Sequence, residues 1–310
     1  MKSILTGKDE AILLATLDTQ YISEKWQKSL GVDLGDTFRS LSTIEYWQCP
    51  RTGFCWYTPS KAAGEGELYA RLEKFDWYYM KDKWEFSIAL GLLERASTVL
   101  EVGVGEGHFL QVARNGGHLV QGVELNTKGA SRAREMGFDI HELMLDELRE
   151  NTDKHFDAIC AFQVLEHVPD PRQFIEGMIG MLKPGGKLIL SVPDAEVMRK
   201  IDPHNQEMLN QPPHHMGHWD ENVFRALESF LPVKVRTVKR EPLATYHVAW
   251  MLNCHMRKIF PPLRTTFGRK VSRILVNRYS TLPLQWLVLA GLNRHLPGHT
   301  LLVELEYLIH

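Results

Sequence analysis

Cysteine is scarce in this chain of 310 residues, with four copies at positions 49, 55, 160 and 254. They are too few and too scattered for a disulfide framework, which makes a reducing compartment, the cytoplasm, the expectation. Long apolar runs are also missing. The strongest, Leu284 to Leu292, is interrupted by Gln285 and is far short of the roughly 20 residues that cross a bilayer. Met1-Lys2-Ser3 leads to Asp9 and Glu10 rather than to an apolar core, so no secretory leader is expected. Low-complexity tracts and internal repeats are absent, which excludes solenoids and disordered linkers. A large charge excess is absent too, the net charge being −2, but one local absence matters. Between Leu243 and His299 there is no Asp or Glu against eight Lys and Arg, which leaves 28 basic and 38 acidic residues elsewhere, a balance of −10. One cationic segment therefore sits on an acidic body, a pattern suited to an anionic partner or surface.

What is present is an ordinary globular composition, 44% hydrophobic and 24% charged, with enough chain for one large domain or two small ones. The most informative stretch is Val99-Leu100-Glu101-Val102-Gly103-Val104-Gly105-Glu106-Gly107. Val99, Leu100 and Val102 read as a buried strand. The three glycines read as a tight loop whose backbone must approach a ligand closely. A helix is expected from about Gly107, with its free N–H groups turned toward that ligand. A dinucleotide fingerprint would need its third glycine at 108, where the chain has His108, so a nicotinamide oxidoreductase is disfavoured.

Alternation then continues. Strands are expected at 119–123, 138–141, 156–162, 187–192, 233–238 and 301–308, and helices at 128–136, 171–182 and 221–230. Asp220 is placed to cap the last of these helices. Strands separated by helices imply a parallel sheet with right-handed crossovers and a ligand at the strand ends. Residues 1–97 read as a mostly helical preface, its last part a helix from Trp77 to Leu93. The sequence divides into an extension over 1–75 and a main domain over 76–310.

Four blocks occur in one order. These are the E-x-G-x-G-x-G loop, Val123-Glu124-Leu125-Asn126, Phe156 to Phe162 continuing into Gln163-Val164-Leu165-Glu166-His167-Val168, and Leu182-Lys183-Pro184-Gly185-Gly186. Together they resemble the class I S-adenosylmethionine-dependent methyltransferases over about residues 98–194. The resemblance implies an α/β, Rossmann-like sheet of seven strands, the last antiparallel, with helices on both faces. To this the sequence adds an N-terminal helical extension and a helical insertion at 243–299 between strands six and seven. The resemblance also implies S-adenosyl-L-methionine as cofactor. Glu101, Gly103, Gly105 and Gly107 would hold it, Glu124 and Leu125 would meet its nucleoside, and Gln163 would lie beside its methionine part. Glu124 is otherwise an exposed strand-end charge, but a carboxylate suits two ribose hydroxyls. Glu166 and His167 read as pocket-shaping rather than as an acid/base pair. The adenine contact falls somewhere in Glu142 to Leu145.

Gln211-Pro212-Pro213-His214-His215-Met216-Gly217-His218-Trp219 follows strand five on the acceptor side. His214 or His215 is the candidate general base, histidine being the usual choice near neutral pH. The competing reading is a polar loop whose histidines cap a helix or meet solvent. A metal shared by His214 and His218, with Asp220 nearby, needs a helix that two prolines and Gly217 oppose, so no metal is expected. Cys49 and Cys55 lack a second pair and read as a hairpin without metal. Trp77, Tyr78, Tyr79 and Trp84 are a lid or, at helical spacing, core.

In the insertion, Pro261-Pro262 should divide two helices. In the second, Phe267, Val271, Ile274 and Leu275 share a face away from Arg269, Lys270 and Arg273. The segment reads as a cap binding the acceptor, with contact of 246–280 with an anionic membrane, a dimer contact and a plain core-facing cap as alternatives. Nucleic acid is not expected as a partner. The chain thus reads as a methyltransferase acting on a small-molecule, glycan or lipid-linked acceptor, most simply on oxygen. The alternative is a non-catalytic methyltransferase-like scaffold or membrane adaptor, and the oligomeric state stays open.

Overall fold

The computed structural model describes residues 1–308 except 76, 77, 79, 154, 261–264 and 278, and describes 266, 269, 273, 294 and 295 by backbone alone. Its strands are β1 (Ile12–Asp18), β2 (Thr43–Gln48), β3 (Cys55–Thr58), β4 (Thr98–Val102), β5 (Leu119–Val123), β6 (Ile140–His141), β7 (Phe156–Phe162), β8 (Leu182–Pro193), β9 (Gly217–His218), β10 (Val233–Pro242) and β11 (Pro297–Tyr307). They form two sheets, β10-β11-β8-β7-β4-β5-β6 and β1-β2-β3-β9.

In the large sheet β6, β5, β4, β7 and β8 run parallel, and β11 runs antiparallel to both β8 and β10. Side chains alternate between two helix-covered faces, which is why the central strands β4 and β7 are apolar almost throughout. Leu100, Ile159, Leu188, Leu190, Leu301 and Val303 belong to one core, with the helices Pro171–Ile179 and Glu221–Leu227. Val99, Cys160, Ile189 and Leu302 belong to another, with Phe86 and Ala89 of the helix Trp84–Leu92 and Phe109 and Ala113 of the helix His108–Asn115. Each such buried aliphatic side chain contributes about 1.5–3 kcal/mol. The Asp220 side chain caps the helix Glu221–Leu227 by accepting from Val223 N at 3.1 Å.

The parallel strands and the antiparallel last strand match the seven-stranded expectation, but several boundaries differ. Strand five begins at Leu182, so Lys183–Gly186, expected as a turn, lies inside β8, with a register shift opposite Phe156–Ala158. A helix over Leu145–Glu150 has no counterpart among the expected elements. The expected helix from Trp77 starts only at Trp84, while Trp77 and Tyr79 lie outside the described residues.

The N-terminal extension is corrected most. Besides the helix Thr19–Leu30 it contributes β1, β2 and β3, and the sheet is completed by β9 from beyond strand five. Tyr46 and Tyr57 stack at 4.6 Å, and Trp26, Ile44, Tyr57 and Leu72 are buried in a core of their own. The Cys49–Cys55 segment is the β2–β3 hairpin, closed by Cys49 N–H to Phe54 O at 2.8 Å. Its apolar run Ile12–Leu17 lies on the exposed edge strand β1, which gives no one-sided burial pattern.

Within 246–280 the described residues of the insertion form two helices, Val248–Ile259 and Thr266–Leu275, on either side of Pro261 and Pro262, which lie outside the described residues; the apolar stretch that follows is a further helix, Leu282–Leu289. The second helix does not bury its apolar face: Phe267 is 78% and Ile274 72% exposed.

Candidate active site

The C-terminal ends of β4, β5, β7 and β8 open on a cavity of about 1360 Å³. At its β4 side Gly103, Gly105 and Gly107 take φ of +79°, +56° and +87°, which only glycine adopts without strain. A Cβ on Gly103 would stand 2.4 Å from Val164 Cγ2. The loop is tied down by Gly103 N–H to Val123 O at 2.8 Å. Glu124 accepts from Gly105 N–H through Oε2 at 2.6 Å and from Asn126 N–H through Oε1 at 2.7 Å. A carboxylate offers about four acceptor positions, so each oxygen keeps a lone pair for a ligand hydroxyl.

Glu101 is 2% exposed, lines the cavity, and its Oε2 has no hydrogen-bond partner among the described residues. Burial, reinforced by Glu124, holds its pKa well above the usual carboxylate range. Leu125 lines the cavity with an exposed side chain, and Leu143, Met144, Leu145 and Asp146 rim it beyond β6. Gln163 leaves β7 at φ +58° and donates from N–H to Ser191 O at 2.9 Å. The structure therefore brings Glu101, Gly103, Gly105, Glu124, Leu125 and Gln163 to one cavity, while Gly107 sits behind the loop against Ala133 and Phe138. Asp146 was missed because the short helix it opens has no clear apolar period.

Facing this end are three histidines. His167, His214 and His215 have ring centroids 4.5–5.0 Å apart, and all three line the cavity. Each Nδ1–H donates to an oxygen: His167 to His214 O, His214 to Leu209 O at 2.9 Å, and His215 to Asn210 Oδ1 at 3.3 Å. Their Nε2 atoms are thereby left as acceptors. Burial pushes His214 down to about 3 and His167 to about 4, and holds His215 well below the ordinary value, so all three rings are neutral at pH 7.

His218 faces the other way. Its Nδ1 accepts from Tyr46 O–H at 2.6 Å and its Nε2–H donates to Asn210 O at 2.9 Å, so it is a structural residue. The loop is held from below by the small sheet, through Trp56 opposite Gly217, Tyr57 N–H to Met216 O at 2.9 Å, and Gly64 N–H to Pro213 O at 2.7 Å. Burial pushes the Glu166 carboxyl up to about 8. Its 3.9 Å approach to His167 Nε2 is therefore a contact between two neutral groups between about pH 4 and 8 rather than a salt bridge. The far wall comes from the insertion, where Tyr246, His247 and Trp250 line the cavity and Trp250 Nε1–H donates to Glu207 Oε2 at 3.1 Å.

Residues 73–231 match the family model described as a methyltransferase domain. The chain is 32% identical over 108 residues to a ubiquinone biosynthesis O-methyltransferase of Alkalilimnicola ehrlichii, covering 33% of this chain and 43% of the relative. It is 35% identical over 104 residues to the Haemophilus ducreyi protein of the same name, covering 30% and 44%. The chain thus matches less than half the length of these curated relatives. A chain of the Haloferax volcanii complex between the Trm112 methyltransferase activator and a methyltransferase superposes with a TM-score of 0.50 at 15% identity, covering 79% of this chain and 96% of that one, a likeness of fold. With its strand order, glycine loop and strand-two carboxylate, and with half its length matched by the family model, the chain belongs to the class I S-adenosylmethionine-dependent methyltransferases.

Proposed function

We propose that the protein transfers a methyl group from S-adenosylmethionine to an oxygen of a small, largely apolar acceptor, with His214 as general base. S-adenosylmethionine supplies, when bound, an electrophilic methyl on a sulfonium centre. The residues fit it. The glycine loop and Glu124 would hold the ribose, Leu125 and residues 143–146 would flank the adenine, and the orphaned Glu101 oxygen would accept from the cationic amino group. At about 1360 Å³ the cavity exceeds the roughly 300–1,000 Å³ typical of one drug-sized ligand, so it has room for an acceptor as well.

The observation that carries the reading is the buried, unpartnered His214 Nε2 in the wall of that cavity, its tautomer set by Leu209 O. Displacement at a methyl group by a hydroxyl needs the hydroxyl proton removed, and a neutral imidazole accepts it. Burial secures the neutral form and excludes water from the reacting centre, where the positive charge passes from the sulfonium to the imidazole. Tyr69 and Tyr78 beside the histidines, with Leu209, Met198 and Trp250 lining the same cavity, suit an apolar acceptor. The names of the matched relatives support oxygen as the target.

The test is incubation with methyl-labelled cofactor and fractionated extract (lipid, glycan, protein and small molecules). Label is expected in the small-molecule or lipid fraction. His214→Ala is expected to lower its rate about 10²–10⁴-fold without changing affinity for S-adenosylhomocysteine. An unimpaired variant would refute the base assignment, and tight S-adenosylhomocysteine binding without transfer to any fraction would favour the non-catalytic scaffold.

A second feature favours an acceptor held in a lipid surface. Beyond the cavity wall the insertion exposes Phe267, Ile274, Leu275, Trp286, Leu287 and Leu289 on a segment with no acidic residue. Among the described residues no helix is long and apolar enough to cross a membrane. Exposed apolar side chains beside cations suit the interface of an anionic bilayer. The protein is expected to float with vesicles containing phosphatidylserine and to remain behind with neutral ones. Phe267→Glu with Trp286→Glu is expected to abolish flotation, and failure of the parent to float removes the membrane contact.

A further inference from the structure

A second cluster of ligating side chains lies in the cavity wall, made of three residues to which the methyl-transfer reading gives no role. Glu241 comes from the end of β10, His299 from the start of β11, and His247 from the turn that opens the helix Val248–Ile259. One carboxylate oxygen and one imidazole nitrogen from each ring lie within 4.8 Å of one another. We propose that Glu241, His247 and His299 bind a divalent transition-metal ion, Zn²⁺ being the best match to the donor set.

Three observations support the site. First, Glu241 is 4% exposed and its Oε2 has no hydrogen-bond partner among the described residues; nor do His247 Nδ1 and His299 Nδ1, both also shielded from solvent. Buried polar atoms are rarely left unpaired, and three that converge call for one shared partner. His299 Nδ1 stands 3.6 Å from Glu241 Oε2, too far for a hydrogen bond but close enough for two ligands of one ion. Second, the surroundings hold the donors in place. Tyr246 O–H lies 3.5 Å from Glu241 Oε1, and the two imidazoles meet edge to face at 4.2 Å, with Trp250 against both. Gly298 leaves room at the carboxylate, since a Cβ there would be 3.1 Å from Oε2 and 2.9 Å from Glu241 O. Third, two imidazoles and one carboxylate form a donor set that binds first-row divalent ions and leaves a coordination position open. That position would face the cavity, because all three residues line it. A metal there would anchor an oxygen or nitrogen of the acceptor at the wall formed by the insertion.

The proposal stands apart from the methyltransferase reading. S-adenosylhomocysteine binding, measured alongside, separates the failure of one from the failure of the other. Full-length protein is stripped with chelator and titrated with Zn²⁺ against a chromophoric competitor, and its metal content is then measured by mass spectrometry. One equivalent is expected to bind, with affinity lowered at least ~100-fold in Glu241→Gln and in His247→Ala and unchanged in His167→Ala, which belongs to the other histidine cluster. Thermal melting with and without Zn²⁺ covers a variant that folds poorly: the parent is stabilised by the metal and His299→Ala is not. Absence of stoichiometric binding by the parent, or loss of binding in His167→Ala with retention in Glu241→Gln, overturns the site.

Discussion

Gly103→Ala is expected to reduce the affinity for S-adenosylhomocysteine by at least two orders of magnitude in calorimetry, with the parent binding normally. At φ +79° any Cβ is strained, at about 1–2 kcal/mol for an L-residue in the left-handed region. The added carbon would also stand 2.4 Å from Val164 Cγ2, and such overpacking costs about 1–3 kcal/mol. The loop cannot relieve this by moving toward β5, because Gly103 N–H is bonded to Val123 O and Gly105 N–H to Glu124. It must move into the space a nucleoside would occupy. Adding Val164→Ala removes the overlapping methyls and leaves the backbone strain, so the double variant is expected to recover part of the affinity. Parent-like binding by Gly103→Ala shows that the loop does not cradle the cofactor, and a shared loss of melting temperature and affinity shows the strain taken up by the whole fold.

Glu166→Gln is expected to stabilise the cofactor-free protein, increasingly so as pH rises. Glu166 is buried beside His167, and neither of its oxygens has a hydrogen-bond partner among the described residues. Burial raises its folded-state value from 4.5 to about 8. Between these values the folded protein holds a proton that the unfolded chain has lost. The stability this group contributes is therefore fully present below pH 4.5 and is lost as pH rises through about 8. At about 1.4 kcal/mol per unit, the loss between pH 5 and 8 is on the order of 4 kcal/mol, and glutamine, which does not ionise, escapes it. The buried histidines act oppositely. For His218, lowered from 6.5 to about 4, stability is lost as pH falls below 6.5, so a neutral substitute gains on the parent in acid. Chemical denaturation of parent and Glu166→Gln at pH 5, 7 and 8 checks this. A difference that stays constant or shrinks with pH contradicts the buried neutral carboxyl.

Much of the site was legible in the residue order because its parts are local. An apolar strand, glycines at alternate positions and an acid ending the next strand are constraints within a few residues of one another, and β4, β5 and β7 formed where the pattern placed them. The histidine loop was legible only as a list of residues. His214, His215 and His218 are near neighbours in sequence, yet two face the cavity and the third is a strut, because β9 pairs with β3 some 160 residues earlier. No local signal announces that pairing, and Ile12–Leu17, on an exposed edge, carries no one-sided period. Trp84, whose spacing from Trp77 favoured a core role, packs against the core that holds Phe86 and Phe109, while Trp77 and Tyr79 lie outside the described residues.

By itself, then, the residue order determined the parallel sheet, the glycine loop at the end of its first strand and the cationic character of residues 243–299. Backbone conformation and strand burial are set by near neighbours, and charge is simply counted. Tertiary structure decided which histidines meet, that Glu166 is buried without a partner, that the insertion turns its apolar side chains outward, and that Glu241, His247 and His299 converge. Each of these depends on groups brought within a few ångströms from distant parts of the chain, and on how much water their packing leaves beside them.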